Sequence, residues 1–157
     1  MKKNLTLFLC LALLLGACKK NHDDKGGGGN TWTFKGITYQ AGSVTYSNSF
    51  GVAELSAAAT GATSTSVDAL VFEFPSAPTS SGQFLITDTG DSNTMTVSVT
   101  KLSGGVATGY TSGETTVKAD VNVNGKVSVS FPGSIWLYNI ANSSDSAQLS
   151  IGTITEQ

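Results

Sequence analysis

Thr31-Trp32-Thr33-Phe34-Lys35-Gly36-Ile37-Thr38-Tyr39 sets threonines between large apolar side chains on both sides of a Lys-Gly pair. Alternation with period two marks a strand that buries one face. A two-residue turn at Lys35-Gly36 pairs Phe34 with Ile37 and Trp32 with Tyr39, which puts all four on one face and Thr33 and Thr38 on the other. Gly36 supplies one of the positive φ angles such a turn needs. The stretch is predicted to be a β-hairpin, and the rest of the chain repeats its pattern.

Downstream, short apolar runs alternate with Thr and Ser and are separated by Gly, Ser, Asn and Asp clusters. No window sustains the i, i+3, i+4, i+7 spacing of an amphipathic helix. Ser43 to Tyr46 and Val52 to Thr60 follow the hairpin; the flanking Ser, Thr and Gly argue against a helix at Ala57-Ala58-Ala59. In Ala69 to Phe74, Leu70, Phe72 and Phe74 point one way and Val71 and Glu73 the other, until Pro75 ends the run. Gln83 to Thr87 and Met95 to Thr100 continue the series. For Val117 to Phe131, a three-residue loop Val123-Asn124-Gly125 places Val121 opposite Val127, Ala119 opposite Val129 and Val117 opposite Phe131, with Gly125 left-handed. Ile135 to Tyr138 and Ala147 to Ile151 close the chain. The predicted fold is all-β, an antiparallel β-sandwich of roughly nine or ten short strands. The alternative is a closed, lipocalin-like β-barrel with a ligand cavity, although Asn30-Thr31-Trp32 departs from the Gly-x-Trp of lipocalins.

Composition narrows the function. The chain is 39% hydrophobic and 13% charged, which suits a compact domain rather than a disordered tail. It has no arginine and a formal charge of −2, so a nucleic-acid partner, which needs a Lys/Arg surface, is not expected. Residues 31–157, read as one domain, contain neither Cys nor His. That excludes Cys-His and Ser-His-Asp nucleophilic machinery and any imidazole-based zinc site, and the chain is read as non-enzymatic and cofactor-free.

The first thirty residues carry an address. Met1-Lys2-Lys3-Asn4 is basic, Leu5 to Leu15 is apolar but too short to span a bilayer, and Leu15-Gly16-Ala17 leads into Cys18. Leu15-Gly16-Ala17-Cys18 resembles the lipobox of bacterial lipoproteins. The resemblance implies a signal peptide at 1–17 that is cut before Cys18, a diacylglycerol on the Cys18 thiol and an acyl chain such as palmitate on its amine. The membrane is then a partner through those chains. Loss of Lys2 and Lys3 takes the mature chain to −4. Residues 18–30 form the acylated cysteine and a Gly-rich flexible tether. Within it, Lys19-Lys20-Asn21-His22-Asp23-Asp24 resembles the export tag of surface-exposed lipoproteins. The expected location is the outer membrane of a Gram-negative bacterium, with possible display on the cell surface.

Three kinds of candidate site remain. Trp136 and Tyr138 share a face of Ile135-Trp136-Leu137-Tyr138 unless that run is buried on both sides, and Tyr110, set among glycines and threonines, reads as loop-borne and exposed. These three are the candidate ligand-binding residues, for stacking on a glycan or for contact with an envelope or host protein; otherwise aromatics of this kind fill the core. Asp88, Asp91 and Asn93 form an oxygen-rich loop that is a weak calcium candidate, against the plainer reading of a turn. The carboxylates, Glu73 foremost on the outward face of its strand, make a hydrolase acting on glycan the rival reading. A structural subunit of an envelope complex is the third, and would present an unpaired edge strand or an apolar patch.

Overall fold

A computed structural model describes residues 29–49 and 51–157. Cys18, the expected leader and the expected tether up to residue 28 lie outside the described residues. Twelve strands follow in order: β1 (Thr31–Phe34), β2 (Ile37–Ser49), β3 (Val52–Ala59), β4 (Ser66–Phe74), β5 (Gly82–Ile86), β6 (Thr94–Ser103), β7 (Val106–Ser112), β8 (Lys118–Asn122), β9 (Ser128–Ser130), β10 (Ile135–Asn139), β11 (Ser146–Ile151) and β12 (Ile154–Thr155). The described residues contain no helix.

The opening hairpin forms as its residues dictate. Trp32 lies opposite Tyr39 and Phe34 opposite Ile37. Lys35 and Gly36 both take positive φ, +50° and +74°. On the outer face the Thr33 and Thr38 hydroxyls hydrogen-bond at 2.9 Å. Ala57-Ala58-Ala59 is strand, part of β3.

Strands β6-β4-β3-β2-β1-β11-β10-β7 pair antiparallel in that order, and β7 returns to β6, so the ring closes as an eight-stranded barrel. The barrel alternative therefore fits the main sheet better than the two-layer sandwich does. Eight strands leave an interior that side chains can fill, and here they do. Trp32, Phe34, Leu55, Leu70, Phe72 and Leu137 are fully buried. Tyr39 stacks on Trp32 with ring centroids 5.3 Å apart, and Tyr110 meets Phe34 edge-on at 5.0 Å.

A second strip, β12-β9-β8-β5, joins β6 through a short parallel pairing, Leu85 with Thr94 and Ile86 with Met95. Antiparallel closure sets the β1–β2, β3–β4, β6–β7 and β10–β11 turns at one end of the barrel, and the strip attaches at the other. There Phe84 packs edge-on against Phe74 at 5.6 Å, and Phe84, Val121, Val129 and Ile154 merge with the barrel core. The C-terminal residues run beside β2 where β1 has not yet begun: the Gln157 amide donates to the Val44 carbonyl at 3.1 Å.

Two expectations need correction. The β8–β9 hairpin pairs Val121 with Val129, not Val127, and Asn122 with Ser128. Its loop is thus Val123–Val127, longer than predicted, although Gly125 is left-handed at +81° as expected. Val127 is drawn off by the chain end: its amide donates to the Glu156 carboxylate at 3.1 Å, and its carbonyl accepts from the Glu156 amide at 2.9 Å. The second correction is Tyr110. It sits within β7, only 4% exposed, and points into the barrel.

Candidate functional site

Strand β10 has two unlike faces. Ile135 and Leu137 point inward and are buried, while Trp136 and Tyr138 point outward and are 50% and 41% exposed. Their outer-face neighbours on β11 are Gln148, opposite Trp136, and Ser146, opposite Tyr138; on β7, Thr111 lies opposite Tyr138. The core reading therefore holds for Trp32 but not for Trp136. Isolated exposed apolar residues are ordinary, but two rings on one strand face form a surface a ligand can use.

The rings line an open groove of about 510 Å³ that is also lined by Glu114, Thr115, Thr116 and Val117 of the β7–β8 connection and by Ser134 and Ile135. That volume lies within the range of small-molecule sites, about 300–1,000 Å³. The wall is pinned. The Thr115 hydroxyl donates to the Ile86 carbonyl at 2.9 Å and accepts from the Val117 amide at 3.0 Å. The Ile86 amide in turn donates to the Val117 carbonyl at 3.0 Å. Gly113 lies beside the Tyr138 ring, where a Cβ would sit in ordinary van der Waals contact 3.5 Å from Cε2. The Glu114, Thr116 and Ser134 side chains are left exposed along the groove. The sequence marks Trp136 and Tyr138 but not Glu114, Thr116 or Ser134, because nothing in one-dimensional spacing shows that residues 113–117 cross beside β10.

Tyr110 belongs to another arrangement, at the barrel end that carries the β1–β2 and β10–β11 turns. Lys35 donates to the Tyr110 hydroxyl at 2.6 Å, which donates to Asp145 Oδ2 at 2.6 Å; Asn139 Nδ2 donates to the same oxygen at 3.0 Å. Lys35 also pairs with Asp145 Oδ1 at 3.1 Å. The hydrogen bonds from Tyr110, Asn139 and Lys35 hold the Asp145 carboxyl down to about 2, and the Tyr110 hydroxyl is the main cause that raises Lys35. A second Lys-Tyr-Asp set joins β6, β2 and β4: Lys101 donates to the Tyr39 hydroxyl at 2.9 Å and pairs with Asp68 at 3.3 Å. Both clusters tie strands together through groups that satisfy one another. They read as fasteners of the barrel mouth rather than as a binding surface.

The other candidates are placed as follows. Asp88, Asp91 and Asn93 are exposed in the β5–β6 loop. There the Asp91 carboxylate accepts from the Thr89 hydroxyl at 3.3 Å, and its carbonyl accepts from the Thr94 hydroxyl at 2.6 Å. Those bonds build a turn. Among the described residues no three His, Cys, Asp or Glu side chains gather as a metal site. Glu73 lies on the outer face of β4 directly opposite Glu54 on β3, and Glu54 accepts from the Ser56 hydroxyl. Burial, and then the charge of Glu54, push the Glu73 carboxyl above the usual range. The pair is sheltered from solvent, with Glu54 only 7% exposed and Glu73 half-buried. Cys18, the residue expected to carry the lipid, lies outside the described residues.

Comparison of the chain with protein-family models, curated proteins and solved structures finds no match.

Proposed function

We propose that this chain is a non-catalytic lipoprotein, held by acyl chains on Cys18 in the outer membrane of a Gram-negative bacterium, whose barrel serves as a binding module. The observation that carries the reading is the outward display of Trp136 and Tyr138 over an open groove, on a strand whose inward residues are fully committed to the core. A rigid barrel with a shallow lateral groove suits recognition, since the scaffold is pre-organised and binding orders little.

Photo-crosslinking from position 138 in intact cells tests it. A saturable adduct that disappears in the Trp136→Ala background is the expected result. Absence of any adduct, or one unchanged by Trp136→Ala, overturns the groove as the binding surface. Metabolic labelling with palmitate, lost in Cys18→Ser, tests the anchor separately.

The second reading, a hydrolase working through a carboxylate pair, has the cross-strand placement of Glu54 and Glu73 in its support. It requires glycan cleavage that vanishes in Glu73→Gln.

A further inference from the structure

Resting on that reading of the groove, we infer that its ligand is a neutral glycan, with one pyranose ring stacked on Trp136 and its adjacent hydroxyls bonded to Glu114. The inference joins three properties of one surface.

The first is the ring pair. An aromatic face attracts the C–H-lined face of a sugar by dispersion and the hydrophobic effect, and Trp offers the largest such face. Trp136 and Tyr138 are separated by one residue, so both side chains leave the barrel on the same side. They form a short platform along β10 rather than a closed pocket, which fits a segment within a longer chain of sugars.

The second is the hydrogen-bonding set. A carboxylate accepts at two oxygens, and Thr and Ser hydroxyls both donate and accept. Glu114, Thr116 and Ser134 line or flank the groove with exposed side chains, and the Thr115 hydroxyl is already engaged with Ile86 and Val117. The exposed Glu114 carboxylate can accept from two neighbouring hydroxyls, which neutral sugars present in abundance. Charge-assisted bonds of that type are shorter and stronger than neutral ones.

The third is charge. Among the described residues, Glu114 is the one carboxylate that lines the groove and no lysine lines it. A uronate or phosphate group would meet a like charge with no cation to offset it, so anionic glycans are disfavoured. A peptide is the competing occupant, since β7 pairs with β10 only as far as Leu137 and leaves Ile135 and Trp136 without a β7 partner; the sugar titration below separates the two.

The test uses the full-length chain in detergent micelles and its own fluorescence. The chain has two tryptophans, and Trp32 is buried at 1% exposure, so iodide reaches Trp136. Titration with cellopentaose, maltopentaose and mannopentaose is expected to shield Trp136 saturably for at least one of them, with pentagalacturonate about tenfold weaker or worse, roughly 1.4 kcal/mol. Glu114→Gln is expected to weaken the neutral ligand several-fold and to narrow the gap to pentagalacturonate. Trp136→Phe, read by calorimetry, is expected to weaken binding while leaving the unfolding temperature in place. Three outcomes overturn the inference: silence from all three neutral sugars, equal binding of pentagalacturonate, or indifference to Glu114→Gln. If the sugars are silent while the crosslinker at position 138 still yields its Trp136-dependent adduct, the groove binds something other than a neutral glycan. If both fail, the groove is not a binding surface.

Discussion

Trp32 and Trp136 are each followed two residues later by another aromatic, but threonines flank Trp32 and Ile135 and Leu137 flank Trp136, and one closes the inside of the barrel while the other faces outward. Trp32 is bordered by β2 and β11 and covered by Tyr39, with ring planes only 15° apart. Trp136 is bordered by polar Gln148 and flanked by a loop wall that leaves half of it exposed. Alternation tells which residues share a face. It does not tell which face is inside, and the inside is decided by the neighbours that ring closure brings together.

That contrast can be broken most severely from within. Trp32→Ala is expected to cost about 3–5 kcal/mol of stability, as large-to-small changes in cores do, and chemical denaturation measures it. Among the described residues the Trp32 Nε1–H finds no acceptor, so Trp32→Phe gives up no hydrogen bond and should cost distinctly less. A smaller effect is expected at the groove wall. Thr115→Val removes two hydrogen bonds that pin residues 113–117, which should lower stability by about 1 kcal/mol and weaken ligand binding by loosening the wall.

Glu73 supplies the next step down, with a sign that depends on pH. Its folded pKa is raised, so the native state holds that proton more tightly than the unfolded chain does. Its favourable contribution is complete below the unfolded value of 4.5 and is lost as pH rises through the folded value. Glu73→Gln should therefore raise the unfolding temperature at pH 7, and the gain should shrink as the pH approaches 4. Asp145 runs the other way. Its pairing is present above 3.8 and is lost as pH falls through about 2, so Asp145→Asn should matter at neutral pH and cease to matter in strong acid. Smallest of all in stability is Trp136→Ala, expected within about 0.5 kcal/mol of the parent. A larger loss would make Trp136 a core residue after all and dissolve the contrast.

The two hairpins show how far the residues alone could be read. In β1–β2 the turn has two residues and a required glycine, so register follows directly, and every expected pair forms. In β8–β9 the expected and observed registers differ by two positions. A shift of two keeps every side chain on its own face, so an argument from buried faces could not separate them. What separated them was Glu156, 29 residues beyond Val127, claiming that residue's backbone. The choice of sandwich over barrel has a similar origin. Strand β7, Val106-Ala-Thr-Gly-Tyr-Thr-Ser112, has few large apolar residues and reads as loop, yet it pairs with β6 on one side and β10 on the other and so completes the ring. With β7 read as loop, Tyr110 was placed outside. Trp136 and Tyr138 were legible because they lie on one strand; Glu114 was not, because its place beside them depends on where that ring closes.

The junction at Asn30 has a mechanical consequence. Asn30 takes φ +62°, a conformation Asn tolerates better than most residues. Its amide donates to Thr153, its carbonyl accepts from Ala41 and its side chain accepts from the Thr155 amide. Strand β1 is therefore clasped on both flanks at its N-terminal end. A pull on Asn30 directed along β1 would meet ladder bonds that lie across it on either side. Such a load shears two ladders together instead of peeling one bond at a time, so the barrel should bear a pull from its N-terminal side without unravelling there.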